Sequence, residues 1–155
     1  MIGGYQQTGN YKIDARYRKE NLISRIRRIA TYADRIELHN EDAVDLVADI
    51  AQTAPPDTLL YLAPPYYKKG QGLYMNYYND SDHTKICDVI SKVNALHWVV
   101  SYDNSAFIKD LYKDFRSQKF ELNYSANNNG KGTEVMFFSD NCRLTEEMFN
   151  KIHIK

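Results

Sequence analysis

Leu59-Leu60-Tyr61-Leu62-Ala63-Pro64-Pro65-Tyr66-Tyr67 is the stretch on which the reading of this chain turns. Its first four residues are apolar and uncharged, the pattern of a strand buried on both faces as in a parallel sheet. Two prolines then end the ladder, because neither has an N–H to donate and Pro65 disfavours the helical region at Pro64. The chain must leave the sheet there. Tyr66 is thereby presented at the carboxyl end of the strand, where open parallel sheets place ligands. The same residues also allow a plain, rigid exit turn in which Tyr66 merely packs.

Working outward toward the amino end, Thr53 to Asp57 contains Pro55-Pro56 and reads as a short connection. Before it, Asp42 stands in a good N-cap position for a helix through about Gln52, with Ala43, Val44, Leu46, Val47 and Ile50 on its buried side. Ile36-Glu37-Leu38-His39-Asn40 alternates apolar and polar as a short strand. From Arg18, apolar residues at Leu22, Ile23, Ile26, Ile29, Ala30 and Ala33 keep helical spacing, so the pattern predicts an amphipathic helix ending near Ala33. Residues 1–17, with Gly3, Gly4, Gly9 and Asn10, read as an irregular arm.

Toward the carboxyl end, Lys68 to Asp80 reads as a loop rich in Gly and Tyr. Asp82 is expected to cap a helix to about Val93 with Ile86, Val89, Ile90 and Val93 inward. His97 to Ser101 reads as a second apolar strand, and Ser101 to Asn104 as its exit. Asp103 and Asn104 are read as capping a helix from Ser105 to Phe115. Lys119 to Tyr124 and Glu134 to Ser139 form an antiparallel hairpin with a wide tip at Ala126 to Thr133. A short helical tail or frayed end follows from Arg143.

The composition limits the function classes. The 155 residues, 43% hydrophobic, suit one folded domain, and no apolar run approaches the roughly 20 residues of a membrane span, so no membrane partner is expected. The start lacks the features of a secretory signal, and Cys87 and Cys142 are far apart; free thiols in a reducing cytoplasm are expected. The histidines have no metal-ligand spacing, so no metal is expected. Twenty basic residues balance twenty acidic ones, but from Lys12 to Arg28 seven basic residues (Lys12, Arg16, Arg18, Lys19, Arg25, Arg27, Arg28) face two acidic ones. This run suits a phosphate backbone, or equally a solvated helix face. In the loop after the prolines, Lys68 and Lys69 are interleaved with Tyr74, Tyr77 and Tyr78. Cations that track phosphate and rings that stack on a base belong together, although a tyrosine-rich loop can also fold over its own sheet.

Leu60-Tyr61-Leu62-Ala63-Pro64-Pro65-Tyr66-Tyr67 resembles the fourth motif, Asp-Pro-Pro-Tyr, of the D12 (Dam-like) adenine-specific N6 DNA methyltransferases. Gly72 to Tyr78, Asp82-His83, His97 to Asn104, Asp110-Leu111-Tyr112 and Lys131 to Phe138 resemble the same class in the same order. The resemblance implies an α/β fold, a partial Rossmann-like S-adenosylmethionine-dependent methyltransferase sheet ending in an antiparallel hairpin. It implies an arm at 1–17 like the end of a target-recognition region, a partial catalytic domain over 18–142, and a tail at 143–155. It further implies S-adenosylmethionine as cofactor and double-stranded DNA as partner. The catalytic positions by this likeness are Ala63, Pro64, Pro65 and Tyr66, with Tyr66 stacking on a flipped adenine. Asp42, Ala43 and Pro64 would meet the cofactor, unless Asp42 simply caps its helix. Lys12, Arg16, Arg18, Lys68, Lys69 and Tyr74 would meet DNA.

Two differences from the family pattern bear on activity. Ala63 stands where the family has an aspartate that orients the target amine, and a methyl group accepts no hydrogen bond. No Phe-x-Gly-x-Gly-like turn for the methionine end of the cofactor occurs in these residues. The chain alone is therefore expected to be inactive and to resemble a carboxyl-terminal half. In the family sheet, two strands of the amino-terminal half separate the strand before Asp42 from the one at Leu59. A second polypeptide or self-association could fill that gap, but the expectation is that the Ile36 strand pairs directly beside the Leu59 strand.

Overall fold

The computed structural model describes residues 4–15, 17–68, 70–73, 75–124 and 130–145. The chain divides into two compact units, Met1–Asn40 and Glu41–Lys155. In the first, the arm consists of turns and bends stitched by Gln7: its Nε2 donates to Gly4 O at 2.7 Å and its Oε1 accepts from Ile13 N at 2.6 Å. Helix α1, Lys19–Ala30, and a 3-10 turn, Ala33–Arg35, follow. The expected buried face of α1 is not buried. The helix buries no residue, and Leu22, Ile26 and Ile29 are exposed. Its end charges favour the helix, with Glu20 in the first turn and Arg27 and Arg28 in the last complementing the helix dipole.

The expected strand at Ile36–Asn40 does not form, and its pairing beside Leu59 fails with it. Those five residues have no regular structure, and Leu38 is 90% exposed. Two-residue alternation makes a strand only where a neighbour offers a hydrogen-bonding ladder, and none of the four sheet strands lies before Leu59.

The second unit is a mixed α/β structure. Helix α2, Ala43–Thr53, starts as expected: Asp42 Oδ1 accepts from Val44 N at 2.8 Å. Strand β1, Leu59–Leu62, leads to a short turn of helix α3, Gly70–Leu73, then α4, Asp80–Ile90, β2, His97–Asp103, and α5, Ala106–Leu111. The hairpin is β3, Arg116–Tyr124, and β4, Gly130–Phe138. Both strands are longer than the sequence suggested; the tip at 125–129 and the tail beyond Thr145 lie outside the described residues. The strand order is β1-β2-β4-β3, with β1 parallel to β2 and the remaining pairs antiparallel.

Alternation decides what is buried. Leu60, Trp98, Val100, Tyr102, Val135 and Phe137 project into one core with Val47 of α2, Cys87 and Ile90 of α4, and Ile108 of α5. Each large apolar side chain placed there contributes roughly 1.5–3 kcal/mol. Strand β1 was expected to be covered on both faces, but it is an edge strand, and Leu59 and Tyr61 are each 60% exposed. Only Leu60 is fully committed to the core.

Two caps differ from expectation. Helix α4 begins at Asn79, not Asp82: Asn79 Oδ1 accepts from the amides of Ser81 and Asp82, while Asp82 Oδ2 accepts from Asn79 N at 3.1 Å, a reciprocal capping box. Helix α5 is shorter than expected and is capped by Ser105, whose Oγ accepts from Ile108 N. Asp103 belongs to β2 and does not cap α5; its carboxylate is used elsewhere.

Candidate functional site

Parallel pairing brings the carboxyl ends of β1 and β2 to the same edge of the sheet, and the antiparallel β4 brings Glu134 opposite Asp103. The two prolines leave β1 at that edge. Neither donates a hydrogen bond, so the turn must be held from its far side. Tyr67 N donates to Asp103 Oδ1 at 2.7 Å and Lys68 N to Asp103 Oδ2 at 3.0 Å. Gly70 N donates to Tyr66 O at 2.8 Å. The Tyr66 hydroxyl donates to Oε1 of the buried Glu134 at 2.6 Å. A carboxylate taken out of water needs donors, and the turn supplies them.

A second constellation lies under the loop. His83 on α4 is fully buried, with Nδ1 3.1 Å from Tyr102 Oη. Tyr67, Tyr78 and Tyr102 meet its ring edge to face, at centroid separations of 5.5, 5.4 and 5.4 Å. Tyr67 also stacks on Phe107 at 4.7 Å. Among the described residues, His83 Nε2 is buried without a hydrogen-bond partner. Burial pushes the His83 pKa down, and the charges of Asp103, Asp80 and Asp82 oppose that shift. Burial likewise raises Tyr78, and the Asp42 and Asp82 carboxylates add to it.

An open cleft of about 350 Å³ lies between α2 and the exit of β1, lined by Ala43, Leu46, Val47, Ile50, Leu60 to Pro65, Tyr78 and Ile86. Among the described residues, none that lines it is charged. A neighbouring polar cleft of about 420 Å³ shares Tyr78 and Ile86 and adds Asp42, Asp45, Asn76, Asp82 and Lys85. The structure thus brings Ala43, Ala63, Pro64 and Pro65 around one cleft and puts Asp42 at the next. Ala63 is exposed, and Tyr66 is half-buried toward Glu134. The Asp42 carboxylate is engaged as the α2 cap. Lys68 is exposed; Lys12 and Arg18, also exposed, belong to the Met1–Asn40 unit, and Lys12 Nζ donates to Gln7 O. Arg16, Lys69 and Tyr74 lie outside the described residues. No group of three His, Cys, Asp or Glu able to hold a metal occurs among the described residues, and none of their helices is long and apolar enough to cross a membrane.

Asp103, Glu134 and His83 were not singled out for these roles from the sequence. A signal existed for the two carboxylates. Each abuts a mostly apolar run, Trp98 to Tyr102 (interrupted by Ser101) or Val135 to Phe138, and a charge abutting a buried strand must find donors.

A family model for the D12 class N6 adenine-specific DNA methyltransferases matches residues 4–126 of the chain. No curated protein matches it.

Proposed function

The chain belongs to the D12 class of N6 adenine-specific DNA methyltransferases, and on that premise we propose that it carries the base-presenting part of such an enzyme without its catalytic carboxylate. The carrying observation is the convergence of Ala43, Ala63, Pro64 and Pro65 on one apolar cleft at the carboxyl end of β1. In this reading the sheet is part of a Rossmann-like methyltransferase sheet, and Tyr66 is the ring offered to a flipped adenine. Lys68 and Lys69, with Tyr74, follow the phosphate and bases of double-stranded DNA, and Lys12, Arg16 and Arg18 add a second phosphate contact. The protein works in the cytoplasm.

The fit to S-adenosylmethionine is partial. An uncharged cleft of about 350 Å³ lined by aliphatic side chains, Pro64 and Tyr78 suits a flat heteroaromatic ring. The zwitterionic methionine end finds no charged partner among the described residues of that lining, and its glycine turn is not in these residues. When bound, the cofactor supplies an electrophilic methyl group. The Ala63 methyl accepts no hydrogen bond, so of the side-chain carboxylate and the Pro64 carbonyl that would orient the adenine amine the carboxylate is lost, and the loss falls on the chemical step. Negligible methyl transfer by this chain alone is expected.

A second reading, a DNA-binding module or one subunit of a split methyltransferase, is favoured by the unpaired edge of β1 and the exposed Leu59 and Tyr61. Calorimetric titration with S-adenosylmethionine, with and without duplex DNA, tests both. DNA binding without cofactor binding supports the module or subunit; micromolar cofactor binding supports a pocket that Ala63→Asp could reactivate. Binding of neither ligand overturns the proposal. Replacing Lys68 and Lys69 by alanine should weaken DNA binding and reduce its salt slope by about 1 for each phosphate no longer neutralised.

A further inference from the structure

We propose that Asp103 is a positioning residue for the Pro64-Pro65-Tyr66 turn, and that with its cross-strand neighbour Glu134 it sets how the Tyr66 ring is presented. Its bearing on function rests on the reading of Tyr66 as a base-facing ring; the geometry itself does not.

The need for such a residue follows from covalent structure. A strand that exits through two prolines has two consecutive residues with no N–H, so no main-chain ladder holds the turn. The Tyr67 and Lys68 amides, the second and third donors after the prolines, both go to the two oxygens of one carboxylate. Two convergent amides on an anion are a charge-assisted pair, stronger than neutral bonds and directional. An asparagine at 103 offers only one oxygen, so it can satisfy one amide well while its own NH2 group opposes the other.

The register does the rest. Asp103 and Glu134 are opposite each other across β2 and β4, and like charges facing each other are ordinarily unfavourable. Here each anion takes donors from the same turn: Asp103 holds the main chain just after Tyr66, and Glu134 holds the hydroxyl at the far end of the ring. The main chain just after Tyr66 and the tip of its ring are thus referenced to the two central strands of the sheet. With the Tyr66 carbonyl taken by Gly70 N, the turn is held on three sides.

The test is residue-resolved amide hydrogen exchange on the 155-residue chain and on Asp103→Asn, with duplex DNA affinity measured in parallel. The expected result is protection of the Tyr67 and Lys68 amides in the unmodified protein. In Asp103→Asn, exchange there should accelerate roughly tenfold or more, the scale of a charge-assisted bond, while the core amides of Val100 and Tyr102 are unchanged. Unprotected Tyr67 and Lys68 amides in the unmodified protein overturn the proposal even where the variant fails to fold. So does a variant whose amides 67 and 68 exchange no faster. Loss of local protection with weakened DNA binding supports both the positioning role and the functional reading. Loss of local protection when neither protein binds DNA leaves Asp103 as the positioning residue and removes the functional reading instead.

Discussion

Replacing His83 by alanine removes the hub on which both ends of the 67–78 loop rest. The side chain makes three edge-to-face contacts with tyrosine rings, each worth about 0.5–1.5 kcal/mol. It also hydrogen-bonds Tyr102 Oη in a fully buried setting, and because the Tyr112 hydroxyl stays beside Tyr102, losing that bond costs about 0.5–1.5 kcal/mol. Removing the unpartnered Nε2 gives part of this back. The net expectation is a loss of about 3 kcal/mol, large against a typical total of about 5–15 kcal/mol. His83→Phe keeps a ring for the tyrosines and deletes the unpartnered nitrogen, so it should cost clearly less. Urea unfolding followed by Trp98 fluorescence measures both. Acid adds a second handle: burial depresses the folded pKa of His83 below its unfolded value near 6.5. The neutral ring therefore contributes stability that is complete above that pH and is lost as pH falls through the lower folded value. His83→Phe should lack this component. A loss under about 1 kcal/mol for His83→Ala, or identical acid sensitivity in His83→Phe, would refute the reasoning.

Asn79→Ala breaks the capping box at the start of α4 and should destabilise the unit by about 1 kcal/mol, seen as a lower urea midpoint at unchanged slope. Cys87 is buried and its thiol is pushed up to about 11, chiefly by burial. It should resist maleimide at neutral pH until the protein unfolds, whereas the half-buried Cys142 should react first; rapid native labelling at Cys87 by mass spectrometry would contradict the packing of α4 on β2.

The sequence by itself determined what depends on a few neighbouring residues. Two prolines without N–H groups must end β1, Asp42 caps α2 because its carboxylate reaches the Val44 amide two residues on, and the carboxyl-terminal strands pair as a hairpin. It also determined the family, through motifs kept in order. Tertiary structure decided the rest. The alternation at Ile36–Asn40 made no strand because no ladder neighbour was there, and β1 became an edge whose apolar residues lie open on one side. Asp103 looked like a helix cap because its sequence neighbours allow one, but in space the Tyr67 amide, 36 residues away, is a better donor for it. Glu134 meets Tyr66 across 68 residues only because β4 runs antiparallel to β2 in one register. A one-residue slip would turn Glu134 to the other face and leave the tyrosine hydroxyl without its acceptor.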